Sequence, residues 1–139
     1  MRAFWIVVCL LSFVSSAHAK SLCVPFKTRN GLLVIPCSTY LGERECVIDT
    51  GASTTILDKR AVVGGAWLGA DVTGGLAGPV KMKLLETSVR IAGVEVRSVV
   101  RVTDLRARIG EDVLLGEDVL KQFDSVAIDY KHHVVIFQK

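Results

Sequence analysis

The sequence predicts a mainly β domain with one short helix, and three observations support this prediction. Half of the 139 residues are hydrophobic and 22% are charged, which supplies enough apolar material for one packed domain. Five of the nine residues from 94 to 102 are valine, and β-branched residues favour strands over helices. Turn signals separate such runs at short intervals, and the strongest of them is Asn30-Gly31.

Short strands follow one another along most of the chain. We expect them at residues 24–29, 32–40, 44–48, 80–91, 94–102, 112–116, 125–128 and 134–137. Pro36 interrupts the second strand, which indicates a sheet edge or a bulge there. Residues 57–62 are either one helical turn or a short loop, and the glycines at 64, 65 and 69 are expected to break any regular element. Residues 71–80 hold three glycines and a proline, and this composition alone indicates a flexible loop.

One helix is predicted, over residues 117–123. Glu117 and Asp118 fall in its first turn and Lys121 falls later, so these charges complement the helix dipole. The apolar residues of the segment lie on one face, as they do in a helix that packs against a core.

Residues 1–19 have the features of a signal peptide for secretion. Arg2 gives a positive start, residues 3–14 form a short apolar run, and Ala17-His18-Ala19 ends the segment with a cleavage-site pattern. A bilayer span needs about 20 apolar residues, so we expect no stable membrane span after cleavage. The expected protein is one domain over residues 20–139, periplasmic or secreted. An uncleaved N-terminal anchor is the alternative.

Three cysteines remain in this exported domain, in a compartment where disulfides persist. Cys37 and Cys46 flank a predicted turn at residues 41–43 and are candidates for a disulfide, depending on the register of the hairpin. Cys23 would then be unpaired or joined to a second chain. The cysteines have neither C-x-x-C spacing nor a nearby histidine, so we expect no metal site and no cofactor. The formal net charge of +3 is small and evenly spread, which argues against nucleic-acid binding.

The strongest functional signal is the pentapeptide Asp49-Thr50-Gly51-Ala52-Ser53. An apolar, β-branched run before it delivers a carboxylate to a sharp turn, where a glycine and small hydroxylated residues permit close approach of the backbone. The pentapeptide matches the active-site signature of aspartic proteases, in which a carboxylate opens a loop at the end of a strand.

A second segment makes the signal specific. Leu114-Leu115-Gly116 joins a predicted strand to the predicted helix, after a glycine-rich stretch and two strands. In this order the two motifs resemble those of single-domain retropepsin-like aspartic proteases, particularly the exported bacterial kind. The resemblance covers residues 24–137. It implies a closed, β-barrel-like acid-protease fold with one short helix and a flap hairpin, in which the apolar-apolar-glycine segment passes the active-site turn.

The resemblance also implies roles for the residues of the pentapeptide. Asp49 is the expected catalytic residue, and Thr50 would form a hydrogen bond across a dimer. Gly51 would let the substrate backbone lie close, while Ala52 and Ser53 would support the active-site turn.

The expected flap is a hairpin that closes over the substrate and excludes water. It is assigned to Thr73, Gly74, Gly75 and Leu76. Walls of the substrate subsites are expected from Leu76, Val113 and Leu115, which predicts hydrophobic side chains beside the cleaved bond. Terminal strands from both subunits often hold the dimer in this family, and residues 134–137 and the segment near Cys23 would take that role here.

The chemistry explains why two chains are needed. Peptide hydrolysis without a metal requires one group to activate water and another to donate a proton. Two neighbouring carboxyl groups do both when they share one proton, because repulsion between like charges raises one of the two pKa values. The chain has one such motif, so two copies of Asp49 must meet in an isologous homodimer that binds a polypeptide substrate. The other aspartates lack a following Thr-Gly or Ser-Gly and are expected at surfaces, turns or helix caps: Asp58, Asp71, Asp104, Asp112, Asp118, Asp124 and Asp129.

Two other interpretations remain open at this point. The first is a catalytically weak or inactive retropepsin-like domain that serves peptide binding or assembly. The second is a structural export factor in which the pentapeptide is a chance turn, and it requires the downstream motif to be a second coincidence.

Overall fold

A computed structural model describes residues 20–63, 66–75 and 78–139, and this part of the chain is mainly β. The expected signal peptide at residues 1–19 and the expected flap residue Leu76 lie outside the described residues. The strands are β1 Ser21–Pro25, β2 Lys27–Arg29, β3 Leu32–Thr39, β4 Gly42–Ile48, β5 Ile56–Asp58, β6 Ala66–Gly75, β7 Gly78–Ile91, β8 Val94–Thr103, β9 Val113–Leu115, β10 Ser125–Asp129 and β11 Val134–Gln138. The helical segments are a 3-10 turn Lys59–Ala61 and two helices, α1 Arg106–Ile109 and α2 Glu117–Leu120.

The strands form two sheets. The larger sheet has eight strands in the order β2-β3-β4-β9-β5-β8-β7-β6, and the smaller has three in the order β1-β11-β10. One further pair, Ser38 with Arg90, joins β3 to β7. This pair completes a closed circuit of six strands, with β2 and β6 attached outside it.

The hairpins predicted from turn residues are confirmed. Asn30 and Gly31 have φ angles of 51° and 77°, and Ala92 and Gly93 have φ angles of 48° and 81°. Two consecutive residues with positive φ make the tight turn whose twist matches that of paired strands. Both turns therefore connect adjacent antiparallel strands, β2 to β3 and β7 to β8.

Pro36 lies at a local edge. It stands opposite Glu45 in an uninterrupted β3–β4 register, so no bulge forms there. On the other side of β3, the pairing with β2 ends at Val34 and the pair with β7 is at Ser38. Of the two predicted alternatives, the edge is the one observed.

Composition alone indicates a flexible loop at residues 71–80, but most of this segment lies in strands β6 and β7. Thr73, Gly74 and Gly75 pair with residues 80, 79 and 78 of β7. Gly69 does not end the strand as expected either, because a register shift between Trp67 and Gly69 absorbs it as a bulge. Gly69 has φ 128°, a conformation that glycine adopts without steric cost.

The 3-10 turn Lys59–Ala61 is the helical turn that was one of the two alternatives for residues 57–62, but the prediction of a single helix is wrong, because α1 is a second one. One turn of helix is too short to produce the apolar periodicity by which helices are recognised. Two contacts at its ends define α1 instead: the backbone N–H of Arg106 donates to Asp58 Oδ2 (2.8 Å), a residue distant in the sequence, and Gly110 ends the helix at φ 78°. The predicted helix α2 is present but ends at Leu120.

A single core fills the space between the strands. Its most buried large side chains are Ile35 of β3, Leu85 of β7, Leu115 of β9 and Phe137 of β11, each at most 1% exposed. Phe123, after α2, packs on Phe137 with ring centroids 4.8 Å apart. Both rings belong to the buried cluster that also contains Ile35, Leu85 and Leu115, so this core fixes the three-stranded sheet and α2 to the larger sheet.

Cys37 and Cys46 form a disulfide inside this core. The register places Cys37 opposite Arg44 and Cys46 opposite Ile35, so the two cysteines are diagonal neighbours. Their Cα atoms are nevertheless 5.9 Å apart, which suits a disulfide. Cys23 is free and exposed on β1.

No helix within residues 20–63, 66–75 and 78–139 is long and apolar enough to cross a membrane.

Candidate active site

Asp49 follows β4 directly and begins the segment 49–55, here called the Asp49 loop, which returns to β5. The backbone N–H of Asp49 donates to the carbonyl of Leu115 on β9 (3.0 Å). Within the loop, the N–H of Gly51 donates to Asp49 Oδ1 (2.9 Å) and the N–H of Ala52 donates to the Asp49 carbonyl (3.2 Å). Asp49 is half-buried while Thr50, Gly51 and Ser53 are exposed. The turn is closed by its own carboxylate and faces solvent.

Strand β9 passes between the two strands that the Asp49 loop connects. It runs parallel to β4, with Ile48 opposite Leu115, and antiparallel to β5, with Ile56 opposite Leu114. The loop therefore crosses over the end of β9. This arrangement brings together the two motifs that are far apart in the sequence.

Gly116 lets β9 approach the Asp49 loop closely. A Cβ atom at this position would stand 2.5 Å from the carbonyl carbon of Thr54 and 2.9 Å from the carbonyl oxygen of Ala52. Its φ of −95° is accessible to any residue, so close packing is the reason for glycine here. The next N–H, of Glu117, donates to the same Ala52 carbonyl (2.8 Å).

Asp118 supports the loop from α2. Its Oδ1 accepts from the backbone N–H (2.7 Å) and the hydroxyl (2.8 Å) of Thr55, and its Oδ2 accepts from Ser98 Oγ (2.6 Å). Thr55 is fully buried, and its hydroxyl also accepts from the Gly116 N–H (3.0 Å). Sequence reasoning placed Asp118 at a surface, turn or cap. The structure instead uses it to hold the end of the Asp49 loop.

The other aspartates mostly have the roles expected of them. Asp58 caps the 3-10 turn and α1, accepting backbone N–H groups from Arg60 (2.9 Å) and Arg106 (2.8 Å). Asp112 pairs with the Arg106 side chain (2.6 Å), and Asp104 pairs with Lys59 (2.6 Å).

The residues of β9 expected to form subsite walls are on the wrong face of the strand. Val113 and Leu115 are fully buried in the core, and the half-buried Leu114 points to the opposite face of the strand. Any contact with a ligand from this strand would therefore come from Leu114.

The expected flap corresponds to the end of the β6–β7 hairpin. The last β7–β8 pair is Lys83 with Val102, so residues 78–82 of β7 have no partner on β8. They pair only with residues 71–75 of β6. We call these two segments the arm, and it includes Thr73, Gly74 and Gly75.

Arg101 links this hairpin to the Asp49 loop. Its Nε and Nη2 donate to Asp71 Oδ2 (3.2 and 2.8 Å), and its Nη1 donates to Thr54 Oγ1 (2.5 Å). The hydrogen bonds from Arg101, followed by the backbone N–H of Val72, lower the pKa of Asp71 below its usual value. No local sequence signal joins these three residues, because they come from three different segments.

The terminal strands pair within one chain. β1 and β11 are antiparallel neighbours, and beyond them Lys20 and Lys139 exchange two backbone hydrogen bonds (2.9 and 3.2 Å). Residues 134–137 and the segment near Cys23, expected to join two subunits, are thus already paired with each other. β1 and β10 form the two outer strands of this sheet.

The site presents one accessible carboxylate on a loop that is hydrogen-bonded from below by β9 and α2. No group of three or more His, Cys, Asp or Glu residues suited to a metal ion occurs in the described ranges. No protein-family model and no curated protein matches the chain. The chemistry of the site is therefore inferred from these residues and their contacts.

Proposed function

We propose that this chain is a retropepsin-like aspartic endopeptidase that hydrolyses peptide bonds as a homodimer. Water would be activated between two Asp49 carboxylates, one from each copy. The observation that carries the proposal is the crossing of the Asp49 loop over β9. This crossing packs Gly116 against the loop and exposes the half of the loop that begins with Asp49.

A single chain supplies half of the required chemistry. Asp49 Oδ1 already accepts the Gly51 N–H, which orients the carboxylate, but a proton donor must accompany the base. A second Asp49, related by a twofold axis, would share one proton with the first. Thr50 is exposed beside Asp49 and is available for the contact between copies. Carboxylates and water suffice for this mechanism, so no cofactor enters it.

The arm supports a polypeptide as the substrate. It projects past the last β7–β8 pair, so its backbone edges along β6 and along residues 78–82 of β7 are both unpaired among the described residues. An extended peptide between the arm and the Asp49 loop would find backbone partners above and below it. Closure of the arm would exclude water from the pair of carboxylates.

The proposed protein works outside the cytoplasm. The signal-peptide pattern of residues 1–19 supports export, and the Cys37–Cys46 disulfide is compatible with an oxidising compartment. Residues 20–139 would then be the mature enzyme, periplasmic or secreted.

The test is proteolysis by the exported chain, expressed from its full sequence and purified after secretion. An unfolded polypeptide is incubated with it from about pH 4 to 7, because a dyad that shares one proton works within a limited pH range. We expect cleavage by the wild type and none by Asp49→Ala or Asp49→Asn. Cleavage that survives either substitution would overturn the assignment. Binding of the polypeptide without cleavage by the wild type would favour a peptide-binding module.

A further inference from the structure

We propose that Arg101 is a positioning residue that holds the arm at a set distance from the Asp49 loop. Its guanidinium contacts Asp71 on the hairpin and Thr54 on the loop at the same time. The consequence for catalysis rests on the proposed function, while the mechanical link is independent of it.

Arg101 spans three strands of the sheet. Its backbone lies on β8, opposite Leu84 of β7, and its side chain reaches Asp71 on β6, the strand beyond. Neighbouring strands lie about 4.8 Å apart, so the backbones of β8 and β6 are separated by roughly twice that distance. The Arg101 and Asp71 side chains together bridge this gap. The backbone N–H of Arg101 also donates to the Thr55 carbonyl (2.9 Å). Backbone and side chain together fasten β8 to the end of the Asp49 loop.

The contact lies where the arm begins. Asp71 pairs with Met82, and the neighbouring pair, Ala70 with Lys83, is the last whose β7 residue is also paired with β8. Beyond this point the hairpin has two strands and bends more easily than the sheet behind it. A tether at this base limits the swing of the arm toward and away from Asp49.

Arginine suits this position because its guanidinium is a planar fork. Two of its nitrogens take Asp71 while the third takes Thr54, which the single nitrogen of lysine cannot reproduce. The Arg101 and Asp71 side chains are 22% and 40% exposed, so solvent weakens their attraction. We therefore expect the pair to position the arm rather than to add much to the stability of the fold.

Hydrogen–deuterium exchange tests the link without requiring activity. The variants are Asp71→Asn, Thr54→Val, Arg101→Met and Arg101→Lys in the exported full-length product. Asp71→Asn changes only β6, yet we expect it to raise exchange in residues 50–55 by about three- to tenfold. Arg101→Met should raise exchange in the same residues. The double variant Asp71→Asn, Arg101→Met should raise it no further than Arg101→Met alone, because both substitutions break the same bridge.

A control variant removes a carboxylate from another arginine of the same sheet. Glu95 of β8 pairs with Arg90 of β7 at 3.9 Å, near the β7–β8 turn and at the opposite end of β7 from the arm. Glu95→Gln should leave exchange in residues 50–55 unchanged. If Asp71→Asn raises exchange only in residues 66–75, the bridge does not couple the two segments and the proposal is overturned.

Kinetics then separate this role from a merely structural one. Arg101→Met would loosen the arm without removing it, so exclusion of water from a bound substrate would persist. The lost positioning would weaken binding of the substrate backbone equally in the ground and transition states, and should therefore act on KM. We expect Arg101→Met to raise KM by about fivefold and to change kcat by less than about twofold, with Arg101→Lys intermediate. A fall in kcat with unchanged KM would contradict the role. If Asp71→Asn raises exchange in residues 50–55 but the wild type never cleaves peptide, the link through Arg101 stands and the proposed peptidase activity is refuted. If the wild type cleaves peptide but Asp71→Asn leaves that exchange unchanged, the peptidase activity stands and the link is refuted.

Discussion

Gly116 and Thr54 are in closer contact than any side chain at position 116 would permit. A Cβ on Gly116 would stand 2.5 Å from the Thr54 carbonyl carbon and 2.7 Å from its oxygen, both of them backbone atoms that cannot rotate away. The apolar-apolar-glycine motif thus ends in glycine for a steric reason. It allows α2 to begin directly beneath the Asp49 loop.

Gly116→Ala should therefore destabilise the domain by about 1–3 kcal/mol, as overpacking does in a tight interior. Denaturant unfolding measures the loss, and the proposed proteolysis should fall with it because Asp49 is displaced. Gly110→Ala is the comparison: its site is open but has φ 78°, so its cost comes from the backbone alone. Unchanged stability of Gly116→Ala would mean that the loop does not pack as described.

Asp118→Ala should destabilise the domain by about 2–4 kcal/mol, because it removes the acceptor of three hydrogen bonds and leaves the buried Thr55 N–H without one. Asp118→Asn keeps one oxygen for Thr55 and should cost about 1 kcal/mol. Ser98→Ala removes a single bond and should cost least. The midpoint of urea unfolding ranks the three variants, and equal midpoints for Ala and Asn would contradict this role.

The Asp71–Arg101 pair should lose its effect in acid. Arg101 lowers the pKa of Asp71 in the folded state, so the pair stabilises the fold above the ordinary pKa of 3.8 and ceases to do so as the pH falls through the lower, folded value. The unfolding midpoint of wild type should exceed that of Asp71→Asn by a constant amount from about pH 5 to 7. The difference should shrink below about pH 4. If the difference between the two midpoints instead grew below about pH 4, the pair would not stabilise the fold through an ionised Asp71, which contradicts the prediction.

Removal of the Cys37–Cys46 disulfide should cost about 2–3 kcal/mol, the amount expected for closing so short a loop. Chemical denaturation of a Cys37→Ala, Cys46→Ala double variant measures the loss. Cys23→Ser is the matched control and should leave the midpoint unchanged, because Cys23 is free and exposed. Equal sensitivity of both variants to a reducing agent would show that the disulfide does not form in solution.

Mixing experiments test whether both Asp49 residues are needed. A fixed amount of wild type is refolded with an equal amount of Asp49→Asn, so that dimers form at random. If each site requires two intact carboxylates, activity should fall to about one-half, and to about one-quarter with a threefold excess of the variant. If activity stays constant when the variant is added, each chain contains a complete site.

Local features of this fold were predictable from sequence because they depend on neighbouring residues. Asn30-Gly31 and Ala92-Gly93 adopt positive φ angles at two consecutive positions, and each produced the expected hairpin. The end of β4 at Asp49 and the short strand before Gly116 were likewise recognisable from composition. The helix α1 was not, because Asp58, far away in the chain, caps it.

Contacts between distant segments were beyond sequence reasoning. Arg101 meets Asp71 and Thr54 only because β8 lies between β5 and β7 in the sheet. In the sequence Asp118 resembles an ordinary acid in the first turn of a helix, and its contact with Thr55 depends on how α2 packs against the Asp49 loop. The alternation of β9 was also ambiguous, since a run of three apolar residues does not reveal which face is buried.

The pairing of Lys20 with Lys139 has a practical consequence. These residues are hydrogen-bonded to each other, so in a variant cut to residues 20–139 a linker of a few residues would join them into a circular backbone. New termini opened at the exposed turn of residues 130–133 would give a circular permutant with every strand order near Asp49 preserved. Affinity tags fused to residue 20 and to residue 139 of the linear variant 20–139 would emerge side by side from the rim of the small sheet.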